Sequence, residues 1–156
     1  MNARVFDDVI EVEVGVNTAA HAANDVVCQP VELPGITQAE GCAVITSVVV
    51  TDYDDQGIAM DVLFLRSPIT VGANNATMTI SDNEVGEVLG SVSIAATDYL
   101  DLPNNQVATV RNLGLIVKPE INDGDSSRSI WMVLRTTGTP TYAGGKLGVK
   151  VGVLRG

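Results

Sequence analysis

The residue types best suited to chemistry fall in a few short stretches. Asp52-x-Asp54-x-Gln56-Gly57 spaces oxygen ligands as the start of a calcium loop does. An EF-hand, however, needs a bidentate Glu at loop position twelve between two helices, and that position is Leu63, inside an apolar run. Asp and Gly are also what a tight turn requires, so the reading is a turn with solvated acids. Asn122-Asp123-Gly124-Asp125-Ser126-Ser127 carries the same ambiguity and is read as a loop. His21 is the sole histidine, so any Ser-His-Asp or Cys-His system would have to use it. No nucleophile motif lies near it, and it reads as a surface or packing histidine. Gly144-Gly145-Lys146 lacks both the upstream Gly and the following Ser or Thr of a phosphate loop. Paired carboxylates for glycoside hydrolysis can be recognised only once folding brings two acids together. Trp131, with aromatics at 4% of the chain, offers little to stack on sugar rings. The chain is read as non-enzymatic, with no cofactor and no metal.

The elements that would hold such residues are constrained by composition. The chain has 156 residues, which suits one domain spanning 1–156, and Lys+Arg 9 against Asp+Glu 19 gives a net charge of −10. Binding to nucleic acid phosphates or to an anionic membrane surface needs excess Lys and Arg, so neither partner is expected. Hydrophobic residues make up 46% with few aromatics, so the core must be built from Val, Ile, Leu and Ala, which favours strands. Cys28 and Cys42 flank a segment with Pro30, Pro34 and Gly35 that would let them meet, but their spacing fits neither a redox motif nor a zinc site. Two reduced, partly buried thiols are expected. No apolar run reaches the ~18 residues of a transmembrane helix, and the acidic N-terminal stretch does not resemble a secretory signal. Synthesis in a cytoplasm without export is the expectation.

Period-2 patterning supplies most of the strands. Ile10 to Val16 alternates apolar with charged or Gly residues, and Lys146 to Val153 aligns Leu147, Val149, Val151 and Val153 on one side. Ala43 to Thr51 and Ile58 to Leu65 are nearly continuous in apolar residues around the Asp52–Gly57 connection, which predicts a central hairpin covered on both faces. Further strands are expected at Ala76 to Ile80, Ser91 to Ala95, Val107 to Val117 and Ser129 to Thr136. One short helical turn capped by Ser81 or Asp82 is expected between residues 81 and 90. Residues 17–34, with a small Ala cluster followed by prolines, read as an extended connection or arm. About eight strands separated by turn signals imply an all-β antiparallel sandwich, with the jelly roll as the arrangement to expect.

Charge is unevenly distributed along the chain. Residues 1–110 carry only Arg4 and Arg66 against sixteen acids, whereas residues 111–156 hold seven bases against Glu120, Asp123 and Asp125. Interleaving of strands would mix these charges over one surface. A polarised molecule would instead present a basic patch to an acidic protein neighbour, with Arg128, Arg135, Lys146, Lys150 and Arg155 as the interface candidates. Lys146 and Lys150 would otherwise serve as the wet side of an outer strand, protecting its edge.

Several segments taken together resemble a known group of proteins: Val48 to Phe64 around Asp-Tyr-Asp-Asp-Gln-Gly, Ser91 to Tyr99, Val107 to Leu115, and Gly138-Thr139-Pro140-Thr141-Tyr142 before the last alternating strand. From about Pro34 to the C-terminus the chain resembles the small all-β capsid decoration, or cement, proteins of tailed bacteriophages. The resemblance lies in a strand-turn pattern and transfers no functional residue. It implies a virion structural protein, commonly a homotrimer, seated on the outer capsid surface and bridging capsomers of the major capsid protein. Attachment would then be multivalent, with Met1 to Val5 or the 17–34 segment available to reach a neighbour. A carbohydrate- or receptor-binding module of the fibre or lectin kind is the alternative that jelly rolls also support; an aromatic-lined cleft would mark it.

Overall fold

The computed structural model describes residues 6–37, 41–119 and 128–156. Nine strands form two antiparallel sheets: β1 (Phe6–Gly15), β2 (Val26–Leu33), β3 (Ala43–Asp52), β4 (Met60–Leu65), β5 (Val88–Ile94), β6 (Tyr99–Asp101), β7 (Gln106–Val117), β8 (Ile130–Thr136) and β9 (Lys146–Arg155). The first sheet has the order β1-β9-β3-β7-β6 and the second β2-β8-β4-β5. Without the three-residue β6, the remaining eight strands in chain order read 1-8-3-6 against 2-7-4-5. That wrapping, in which most connections cross between the sheets, is the jelly roll. Only β4 to β5 and β6 to β7 connect sequential neighbours within one sheet.

The expected hairpin of 43–51 with 58–65 does not form. β3 pairs with β7 and β9, while β4 pairs with β5 and β8 in the opposite sheet. Asp52 accounts for the turn: it is buried, its Oδ1 accepts from Asp54 N at 2.9 Å, and its Oδ2 accepts from Gln56 N and Gly57 N at 2.8 Å each. A carboxylate folded back on the following amides reverses the chain equally well into a hairpin or across the sandwich. Both strands are central as expected; the outward side chains of β3 are half-buried rather than covered, whereas on β4 Leu65 is covered from outside and Asp61 and Leu63 are half-buried.

The segment 17–34, expected as a connection or arm, contains β2, whose Val26, Val27, Cys28 and Leu33 are buried. Pro30 lies on this edge strand at the point where the β2–β8 register shifts, between Cys28 and Val31. Residues 76–80 form no strand; isolated bridges tie Asp25 to Thr77 and, just before them, Val26 to Asn74. Among the described residues the helical content is two 3-10 turns, Val85–Glu87 and Ala96–Asp98.

Between the sheets lies a core of Val, Ile and Leu, with Phe64, Met60, Met132 and Tyr142 as its larger members. Part of the outer face of the β2-β8-β4-β5 sheet is covered by a second apolar cluster. There Ile69, Val71, Met78 and Ile80, all from the β4–β5 connection, pack on Val26, Leu65, Val133 and Trp131. Hydrogen bonds hold this strap down, Gln29 Nε2 donating to Gly72 O at 2.9 Å and Met78 N to Asn24 O at 2.8 Å.

Both cysteines are free thiols, Cys28 buried and Cys42 exposed. Burial pushes the Cys28 thiol up to about 12, which leaves almost no thiolate at neutral pH. A thiol titration with a chromogenic disulfide is therefore expected to count one fast group in the native protein and two in guanidinium. Two fast groups in the native state would mean that the β2 edge opens readily.

Candidate interaction surface

The crossing connections gather the turns at one end of the sandwich, where residues 16–25, 53–59 and 137–145 meet. Val16 N donates to Gly145 O, His21 N to Pro140 O and Thr137 N to Ala59 O, at 2.9 to 3.0 Å. Asp54 Oδ1 accepts from Gly144 N at 2.8 Å, Gln56 Oε1 from Thr141 N at 3.0 Å, and Asp55 Oδ1 from Gln106 Nε2 at 2.8 Å. His21 is buried, its ring edge-on to Tyr142 at 5.8 Å between centroids, as a packing histidine would be. Burial, then the neighbouring Tyr99, Asp52 and Asp54, pushes the Tyr142 hydroxyl well above the usual tyrosine range. The calcium-like acids thus serve as turn acceptors, and Asp52 is buried rather than solvated. Among the described residues no group of three or more His, Cys, Asp or Glu is placed to hold a metal ion.

Two shallow depressions lie among the described residues, one on each sheet. The one on the β2-β8-β4-β5 sheet, about 270 Å³, is lined by Asp61, Leu63, Val88, Ser91, Ser93 and Arg135. Asp61 there receives Arg135 Nη2 at 2.5 Å, Nε at 3.1 Å and the Ser93 hydroxyl at 2.8 Å. The other, about 490 Å³, lies over Gly152 and is lined by Asp8, Val9, Thr46, Ser47, Val153 and Leu154. Each holds a single carboxylate tied to an arginine, Arg155 reaching Asp8 at 2.6 Å. Two facing acids, as glycoside hydrolysis requires, are found in neither, and no aromatic lines either as sugar binding would favour.

The five basic candidates do not share one face. Arg135 projects from β8 on the outside of one sheet, Lys146 and Lys150 from β9 on the outside of the other, Arg155 ends β9, and Arg128 precedes β8. Because β1 is the ladder partner of β9, acids from the front of the chain meet bases from the back: Lys146 lies 3.6 Å from Glu13 and Lys150 4.0 Å from Glu11. The Asp8 carboxylate, accepting from Val9 N and from Arg155, is held below the usual carboxylate range. Lys146 also sits 4.6 Å above the Tyr53 ring. Strand interleaving thus mixes the charge that the sequence separates. The edge strand is β1, not β9, so the two lysines lie one strand in from the edge.

A feature that sequence reasoning missed occupies the open face of the five-stranded sheet. Ile116, Val44 and Leu154 stand side by side across β7, β3 and β9 in register, and Val9 follows one step on, opposite Gly152. Ile116 is 66% exposed and Val9 59%, and among the described residues no strap covers them as on the other sheet. Their signal in the sequence is an apolar residue at the outward parity of an otherwise alternating strand, as Ile116 is between Leu115 and Val117. Val44 and Leu154 are half-buried beside the exposed Ile116, so the row is an apolar strip that a protein neighbour could cover further.

No protein-family model and no curated protein matches the chain. Among solved structures it is similar to the VP2 subviral particle of infectious bursal disease virus (11% identity, TM-score 0.35, covering 97% of this chain and 32% of that one). It is also similar to a protein of the Kashmir bee virus virion (12%, 0.37, covering 96% and 70%) and to one of the empty head of turnip yellow mosaic virus (11%, 0.31, covering 99% and 82%). The chain thus spans about a third of the first of these. The jelly-roll assignment rests on the strand order and register described above.

Proposed function

We propose that the chain is a non-enzymatic virion structural protein that docks on the outside of a phage capsid and stabilises it by bridging capsomers of the major capsid protein. The observation that carries this reading is the apolar row Ile116–Val44–Leu154 on the outer sheet face, with Ile116 exposed and the other two half-buried, beside depressions that hold no facing acids and no aromatic lining. Such a row suits a protein neighbour better than a small ligand. Several copies acting together, three in the arrangement the resemblance implies, would convert modest single contacts into tight attachment.

The test is co-sedimentation with purified capsids lacking the protein. Wild type is expected to pellet with them, and Ile116→Asp to bind at least ~10-fold more weakly, since a charge at the centre of an apolar contact is left unpaired. Wild type remaining in the supernatant, or Ile116→Asp binding unchanged, would overturn the reading.

A further inference from the structure

The outer side of β1 and β9 carries two parallel rows of opposite charge, one strand apart. Glu11 and Glu13 form the acidic row and Lys150 and Lys146 the basic one, with Glu11 directly opposite Lys150 in the ladder. All four side chains are substantially exposed. We propose that this strip is a self-association surface, on which a second copy of this chain packs face to face about a two-fold axis running parallel to the strands, between β1 and β9. Such an axis carries the β1 of one copy over the β9 of the other at the same height along the strand. It therefore sets each acidic row over a basic row. A two-fold contact demands a self-complementary patch, and adjacent rows of opposite sign on one face meet that demand.

The same operation explains the depression over Gly152. Val9 is the ladder partner of Gly152, so in the pair the exposed Val9 of each copy lies over the glycine of the other. The space where a Cβ of Gly152 would stand is taken by the Ser47 hydroxyl, so the partner's Val9 meets a shallow floor made by Gly152, Thr46 and Ser47. The apolar knob supplies the favourable burial and the charge rows set the register. Two ten-residue strands at ~3.3 Å per residue and ~4.8 Å per strand give a strip of roughly 300 Å² per copy, so the contact belongs to the weak class. Surface pairs within one chain contribute little by themselves. In the stacked pair each ammonium meets a second carboxylate away from bulk water. Ile116 and Val44 lie beyond the partner's edge and stay open, while Leu154 on β9 passes under the partner's β1; the pairing is read by mass alone and is tested without reference to the capsid reading. If copies also assemble as trimers through another surface, this contact pairs the trimers.

The experiment is sedimentation equilibrium from ~10 µM to ~1 mM on the full chain and three variants. Wild type is expected to double in mass over this range, and added salt to weaken the association. Glu11→Lys with Glu13→Lys makes both rows basic, and Lys146→Glu with Lys150→Glu makes both acidic. Each variant alone is expected to stay at half the associated mass. Mixed one to one, they are expected to pair with each other, and the fourfold swap is expected to pair with itself. Circular dichroism melts identify a variant that fails merely by unfolding, and the fourfold swap, which keeps the pairs within the chain, then carries the test. Wild type of constant mass throughout the range, or a mixture of the two folded reversals that fails to associate, would overturn the proposal.

Discussion

Asp52→Ala is expected to lower the unfolding free energy by roughly 2–4 kcal/mol, because it strands buried donors rather than removing a surface charge. The Asp52 side chain is 1% exposed, and its two oxygens accept from the backbone amides of Asp54, Gln56 and Gly57. Those contacts hold Asp54 and Gln56 where they in turn bind Gly144 and Thr141 of the β8–β9 connection. The carboxylate thus fixes the place where the chain leaves one sheet for the other and the loop packed against it. At about 2–4 °C per kcal/mol for a domain of this size, the melting temperature should fall by roughly 5–15 °C. Asp52→Asn keeps one carbonyl acceptor but turns an NH₂ donor toward amide N–H groups, so an intermediate loss is expected. A thermal melt of Asp52→Ala within ~2 °C of wild type would show that water replaces the carboxylate at little cost, and that the loop is not the clamp described here.

Phe64→Ala should cost about 3–5 kcal/mol, the range for emptying an aromatic site in a closed core. Phe64 is fully buried in β4, flanked in the ladder by Gly90 of β5 and Met132 of β8. Gly90 leaves a gap that is filled by Leu115, since a Cβ there would lie 2.7 Å from Leu115 Cδ1. Phe64 is therefore wedged in the sheet beside a position already filled from outside it, with little freedom for neighbours to collapse inward. Phe64→Leu, which removes less volume, should lose about 1–2 kcal/mol. Urea denaturation measures both. A loss below ~1.5 kcal/mol for Phe64→Ala would mean that the sheets close over the cavity and that the core is softer than its burial implies.

Strand positions were largely legible because burial on one face writes itself into the sequence with period 2. β9 is the clearest case: Leu147, Val149, Val151 and Val153 are all buried as the alternation requires. β8 shows Ile130, Met132 and Leu134 buried on one side, with Val133 buried on the other by the strap. Where the pattern misled, a local irregularity was responsible. The run Ala43 to Thr51 reads as apolar on both faces because a bulge at Thr46, where Ile45 pairs with Val153 but Ser47 with Gly152, switches the inward parity from Ala43 and Ile45 to Val48 and Val50. The same level of β7 steps from Leu115 to Arg111 while β3 steps from Ile45 to Ser47, with Asn112 at φ +61.

By itself, the sequence determined that this is an antiparallel β-sandwich of Val, Ile and Leu, where most of its chain reversals fall, and that the calcium-loop, phosphate-loop and catalytic-histidine patterns are incomplete. These are local properties, written by side-chain type and by spacing of a few residues. Tertiary structure alone decided that Asp52–Gly57 crosses the sandwich instead of closing a hairpin, that residues 26–33 join a sheet, and that Lys146 and Lys150 meet Glu13 and Glu11 from the other end of the chain. It also aligned Ile116, Val44 and Leu154, which come from three distant segments, into one outward-facing apolar row. The physical reason is that strand pairing in a jelly roll is non-local: a strand's own residues specify which face is buried, while its partner is chosen by the fit of the whole set of strands around a shared core.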